Sequence, residues 1–246
     1  MTDACLNCGV PFAAGQHFCG SCGQRTNITA QLTMSDIGRD LAHAITHADH
    51  SVFALIRALV MRPGHVARDY VQGRRKRYFG PFAFLIITVG LASAVILISG
   101  VEWFTPFHHQ HSGEFLQRHV NLVILLQAPL LAAFCAILFR AHHHSFADHL
   151  VLAAYATGLR ALFIALVETP LLALTHANTA SPWLAIGYFG IWFAYFAFAG
   201  SQFFQGNRLW SAVKAATAAI LSQVVTIALI MTILYLTTRL GDGALF

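Results

Sequence analysis

The chain has 246 residues, 57% of them hydrophobic and 10% charged, with a mean hydropathy of +0.62. Soluble domains carry about a quarter charged residues, so this composition excludes an ordinary water-soluble domain and points to a membrane protein. The formal charge is +5, but nine of the fifteen Lys and Arg precede residue 78 and most flank one juxtamembrane stretch. That distribution favours topology and anionic lipid over nucleic acid as its cause.

Residues 1–30 lack the apolar core of a signal peptide and carry cysteines instead. Cys5-x-x-Cys8-Gly9 and Cys19-x-x-Cys22-Gly23 are separated by ten residues. In each, the glycine permits a turn that brings backbone amides toward thiolate sulfur. Two such knuckles face to face offer four sulfurs in a tetrahedron, the closed structural site of Zn2+. About thirty residues bury too little core to fold alone, so the metal supplies the folding energy. Disulfides or a redox pair are the alternative, but no βαβ pattern surrounds the cysteines. With Arg25 as its one basic residue, this zinc ribbon has no phosphate-binding surface, and docking of a cytosolic protein is the expected role.

Residues 31–62 read as an amphipathic helix stopped by Pro63. Its polar face carries Asp36, Asp40, His43, His47 and His50 at spacings of three and four. That pattern suits a solvated face and, as the sharper reading, a second metal. Residues 63–81 form a basic collar with a helix break at Pro63-Gly64, then Tyr70, Gly73, Arg74, Arg75, Lys76, Arg77, Tyr78 and Pro81. It is expected to lie on the bilayer surface against anionic headgroups.

Five runs in 82–246 reach the roughly 20 residues needed to span a membrane: 82–101, 120–139, 150–174, 183–204 and 215–237. The fold class is thus an all-α polytopic membrane protein of about five transmembrane helices with a small N-terminal zinc ribbon. Counting Lys and Arg on alternate sides gives twelve against two, with Arg160 inside a span. The ribbon therefore faces the cytoplasm and the C-terminus the opposite side. This keeps the thiols in a reducing compartment. Small residues at four-residue spacing in the last span (Ala215/Ala219, Ala218/Ser222/Thr226) suit close helix packing within the bundle. Cys135 reads as a small apolar core residue.

Arg160 and Glu168 are intramembrane charges, two helical turns apart, with Gln127, Asn121 and Gln223 as candidate hydrogen-bond partners. They define either a structural hub or a path for an anionic or lipid-like substrate, as in a transporter or its accessory subunit. The loop before the third span carries His142, His143, His144, Asp148 and His149. Together with His43, His47 and His50 it supplies enough ligands for a metal-dependent membrane enzyme, although the spacings differ from the usual histidine boxes.

The ribbon ending Cys22-Gly23-Gln24, then Pro63-Gly64, Tyr70-x-x-Gly73-Arg74-Arg75 and Tyr78-x-x-Pro81, and later Asp148-His149-Leu150-Val151, resembles a bacterial family of uncharacterised membrane proteins. The resemblance implies this architecture and an inner-membrane address, with no known activity. At the later motif the family tends to have Glu-His followed by another histidine on the same helix, where this chain has Asp148 and Tyr155. The expected function is that of a non-enzymatic scaffold or regulator whose ribbon docks a partner.

Overall fold

The computed structural model describes residues 4–12, 15–26, 51–101, 103, 115–141, 144–175 and 182–243. Among them the chain is helical, with isolated bridges in the cysteine-bearing head in place of strands. Helix α1 (Ser51–Met61) is followed after Arg62 by α2 (Pro63–Val71), which places Pro63 in its first turn, where a missing N–H costs nothing. A 3₁₀ turn (Arg75–Arg77) leads to α3 (Pro81–Ser99), again opened by proline. Then follow α4 (Val120–Leu138), α5 (Phe146–Phe163), a π-helical turn (Ile164–Glu168), α6 (Thr169–Thr175), α7 (Pro182–Phe203) and α8 (Arg208–Gly243).

Five helices are long and apolar enough to cross a membrane, and the protein is an all-α polytopic membrane protein with a four-cysteine head. The span Phe146–Thr175 is 67% buried, against 22–39% for the other four, so it is the central helix. It packs on α2, α3 and α4, and its inward residues are small: Ala153, Ala154, Ala156 and Gly158 are all buried. Small side chains let helices approach closely where lipid supplies no hydrophobic drive between them. A Cβ on Gly158 would lie 2.7 Å from the Phe84 ring. The small residues of α8 behave likewise: Ala215, Ala218, Ala219, Ser222 and Thr226 are buried, and α8 packs against α7 and α4. Cys135 is buried in the core.

The described end of the expected amphipathic segment packs against the transmembrane bundle. Leu55 and Leu59 of α1 are buried in the main core, and the Leu59 carbonyl accepts a hydrogen bond from Tyr195 Oη at 3.2 Å. Asp36, Asp40, His43, His47 and His50 lie outside the described residues. The central span begins at Phe146 rather than 150, because Ser145 and Asp148 form a capping box there. That puts Arg160 halfway along its 30 residues.

Candidate functional site

The head is built from two copies of one turn. Cys5 N donates to Val10 O at 2.9 Å and Gly9 N to Cys5 O at 2.8 Å; Cys19 N donates to Gln24 O at 2.7 Å and Gly23 N to Cys19 O at 2.8 Å. Gly9 and Gly23 hold φ of 76° and 71°, a left-handed conformation that strains any side-chain-bearing residue. The turns face each other, with Cys5 Sγ 3.6 Å from Cys22 Sγ and Cys8 Sγ 3.5 Å from Cys19 Sγ. These distances are far beyond the ~2.05 Å of a disulfide. All four sulfurs lie within 4.8 Å of one another and could hold one metal ion. Backbone amides of Cys22 and Ser21 pull the Cys19 thiol down from its usual range. Burial raises the Cys22 thiol, but the Gln24 amide, Asn7 and the neighbouring thiols outweigh it and bring it to about 6. Two thiols inclined to ionise beside two others is the electrostatic state a cation relieves.

The residue after the second knuckle fixes the head to the body. Gln24 is 3% exposed; its Nε2 donates to Gly73 O at 2.8 Å, and its Oε1 accepts from Lys76 N at 3.2 Å. Both ends of one amide thus close on the turn between α2 and α3. That turn is organised by Asp69, which accepts from Arg74 Nη1 at 3.1 Å and from Tyr78 Oη at 2.9 Å. Arg75 is 8% exposed, its guanidinium 5.9 Å from the Tyr70 ring centre. Tyr70 meets Tyr155 edge-on at 6.0 Å, and Tyr155 Oη donates to Phe79 O at 2.7 Å.

Of the collar residues expected at headgroups, the structure buries Tyr70, Gly73, Arg75 and Pro81 in protein and half-buries Tyr78. Arg74, Lys76 and Arg77 are exposed. Helix α2 also packs tightly against α7. Gly64 N donates to Gln202 Oε1 at 3.1 Å, and a Cβ on Gly64 would lie 2.5 Å from Phe203 N. Arg68 caps the end of α7, donating from Nε and Nη2 to Phe203 O at 3.1 and 2.7 Å and from Nη2 to Gln202 O. A cation on the last carbonyls of a helix also complements its dipole.

The histidine loop is only partly described: His142 and His143 lie outside the described residues. Asp148, a candidate ligand by sequence, spends Oδ2 on Ser145 N at 2.8 Å as the capping acid, with His144 Nδ1 at 3.8 Å. His149 is buried against His144 and Phe204. Among the described residues, the four cysteines form the one group of three or more side chains placed to share a metal.

At the bundle centre, Arg160 is 8% exposed. Its Nη1 donates to Gln127 Oε1 at 2.7 Å and Gln223 Oε1 at 3.1 Å, and its Nε to Tyr188 Oη at 2.5 Å. The guanidinium also lies 5.0 Å from the Tyr188 ring centre and 4.8 Å from that of Trp192, close enough for cation–π attraction. One cation therefore ties α5 to α4, α7 and α8. Glu168 is the last residue of the π turn and, with Arg160, lines a cavity of about 510 Å³. Sequence spacing proposed Gln127 and Gln223. It gave no sign of Tyr188, Trp192 or the π turn, and an aromatic-rich span offers too many candidates to choose among. Arg68 was equally hidden, because its partners are backbone atoms 135 and 134 residues away.

A family model described as a protein of unknown function (DUF3667) matches residues 49–92, which span α1, α2, the collar and the first part of α3. No curated protein and no solved structure matches the chain.

Proposed function

We propose that this is a non-enzymatic protein of the bacterial inner membrane in which a zinc-organised head on the cytoplasmic side docks a protein partner and regulates the bundle through the collar. The observation that carries the reading is the double hydrogen bond of Gln24 to Gly73 and Lys76. It makes the head part of the membrane body's surface rather than a freely tethered module. Zinc suits the four sulfurs: Zn–S bonds of about 2.3 Å in a tetrahedron set sulfurs about 3.8 Å apart, near the 3.5 and 3.6 Å found. The excess of Lys and Arg on the head's side supports a cytoplasmic address, where thiols stay reduced. Lys76 and Arg77, exposed beside the docked head, suit anionic headgroups. Val10 and Phe18, 41% and 55% exposed, are the head's apolar offer to a partner.

The test uses the full-length protein in detergent, comparing wild type with Cys22→Ser. Wild type is expected to hold one zinc per chain by elemental mass spectrometry. The variant is expected to lose it and to show faster amide hydrogen exchange across residues 73–78. If the metal is lost while exchange in the collar stays at the wild-type rate, the head does not act on the collar and the regulatory reading fails.

A further inference from the structure

Arg160 places its guanidinium at the centre of the bundle, beside a cavity that Glu168 also lines. Among the described residues, no carboxylate approaches it within the 4.0 Å of an ion pair. Its partners Gln127, Gln223 and Tyr188 are neutral, and they engage Nε and Nη1; Nη2 has no hydrogen-bond partner among the described residues. Neutral oxygens and aromatic faces lower the cost of burying this charge, but they do not cancel it.

The space beside Arg160 has the form of a ligand site. A cavity of about 510 Å³ falls within the roughly 300–1,000 Å³ of small-molecule pockets. Its walls are mostly aliphatic, among them Ile96, Ile124, Ile164, Leu172 and Ile230, and its polar groups gather where Arg160, Gln127 and Gln223 meet. Trp103 also lines it, with a buried indole N–H that has no partner among the described residues. The π turn beside the cavity is the kind of helix irregularity that recurs at functional sites. A second hollow of about 270 Å³ shares Arg160 and Tyr188 and is bordered by Leu166 and Ile191, both more than half exposed on the apolar outer surface. Arg160 therefore borders both hollows.

We infer that this cavity binds an amphiphile with one small anionic head, a carboxylate or a phosphate monoester, on an apolar chain, and that Arg160 is its counter-ion. The head meets Nη2 of Arg160, and the chain lies along the aliphatic walls. Glu168, on the same wall, is the acidic group the head must avoid, which places the head on the Gln127–Gln223 side. This inference stands on the bundle alone, so it survives or fails independently of the metal-bearing head.

The experiment measures quenching of tryptophan fluorescence in the purified full-length protein by doxyl-stearate, with its methyl ester as the uncharged control. All proteins compared carry Trp183→Phe and Trp210→Phe, which remove the two exposed tryptophans and leave Trp103 and Trp192 as the reporters. Wild type is expected to bind the acid at least about tenfold more tightly than the ester, the scale of one charge-assisted hydrogen bond. Arg160→Gln is expected to abolish that preference. Ala185→Phe fills the cavity from its wall and leaves Arg160 untouched; it is expected to lose binding of both probes while keeping wild-type helicity. Displacement of the probe by oleate assigns a carboxylate head, and displacement by lysophosphatidate alone assigns a phosphate. Equal binding of acid and ester by wild type, a preserved preference in folded Arg160→Gln, unchanged binding in folded Ala185→Phe, or displacement by neither competitor would each overturn the inference.

Discussion

The collar and the bundle centre both hold polar side chains away from water, but they satisfy them differently. At the collar, Gln24, Arg68 and Tyr155 donate to backbone carbonyls: Gly73, Gln202, Phe203 and Phe79. Those carbonyls are free because they lie at helix ends and in the turn between α2 and α3, where the i to i+4 ladder stops. At the centre the ladder consumes the main-chain carbonyls of the neighbouring helices, except where Pro129 interrupts α4. Arg160 therefore draws on side-chain oxygens from three separate helices. A turn-rich region can meet its polar needs with main chain, whereas a spanning region must bring in glutamines and tyrosines from elsewhere in the sequence.

The same contrast governs the glycines, and substitution tests it at its largest. Gly64 faces main chain: a Cβ there would collide with the Phe203 amide and the Ala199 carbonyl, neither of which can move without shifting α7. Gly158 faces the Phe84 ring, which can rotate. Gly64→Ala is expected to destabilise by about 3 kcal/mol or more, the upper end of overpacking, and Gly158→Ala by about 1 kcal/mol. Gly90→Ala, with open space around the added methyl, is the neutral control. Thermal unfolding of the three variants in one detergent ranks them. If Gly158→Ala proves the more damaging, the collar is not the stiffer of the two regions.

This division also explains what the sequence disclosed. The knuckles, Pro63 and Pro81 are local devices whose partners sit within a few residues, so their spacing alone announced them. The five spans followed from length and apolarity. Gly64 and Tyr155 stood out only as members of a motif and their packing roles did not show, because the partner that defines each lies 138 or 76 residues away. Asp148 was misleading for the opposite reason. An acid beside histidines suggested a ligand, yet three residues after Ser145 it is a capping acid, and the local helix start claims its carboxylate. Arg160 announced itself as costly, but its aromatic partners did not, since α7 carries rings on every face.

A smaller effect is expected from Gln24→Ala. It leaves the Gly73 carbonyl and the Lys76 amide without their side-chain partner, and losing both bonds costs about 1–3 kcal/mol of docking. The four-cysteine cluster does not use the Gln24 side chain, so on the zinc reading proposed above the metal content should stay at the wild-type level while the Lys76 amide exchanges faster. Loss of zinc in this variant would mean that docking and metal binding are one cooperative event, and the head would then have no stability separate from the collar.

The smallest effect tests whether collar and central helix are joined by a bond or by packing. Tyr155→Phe removes the hydroxyl that reaches the Phe79 carbonyl and keeps the ring against Tyr70 and Phe84. A net hydrogen bond is worth about 0.5–1.5 kcal/mol, so the unfolding midpoint should fall only slightly. Exchange at the Phe79 and Gly80 amides should rise more than elsewhere, because the carbonyl just before the Gly80–Pro81 helix start loses its anchor. If the midpoint falls as far as in Gly64→Ala, the hydroxyl carries more of the junction than close packing does. The main-chain bonds of the collar would then be its chief support rather than a consequence of how tightly α2 fits.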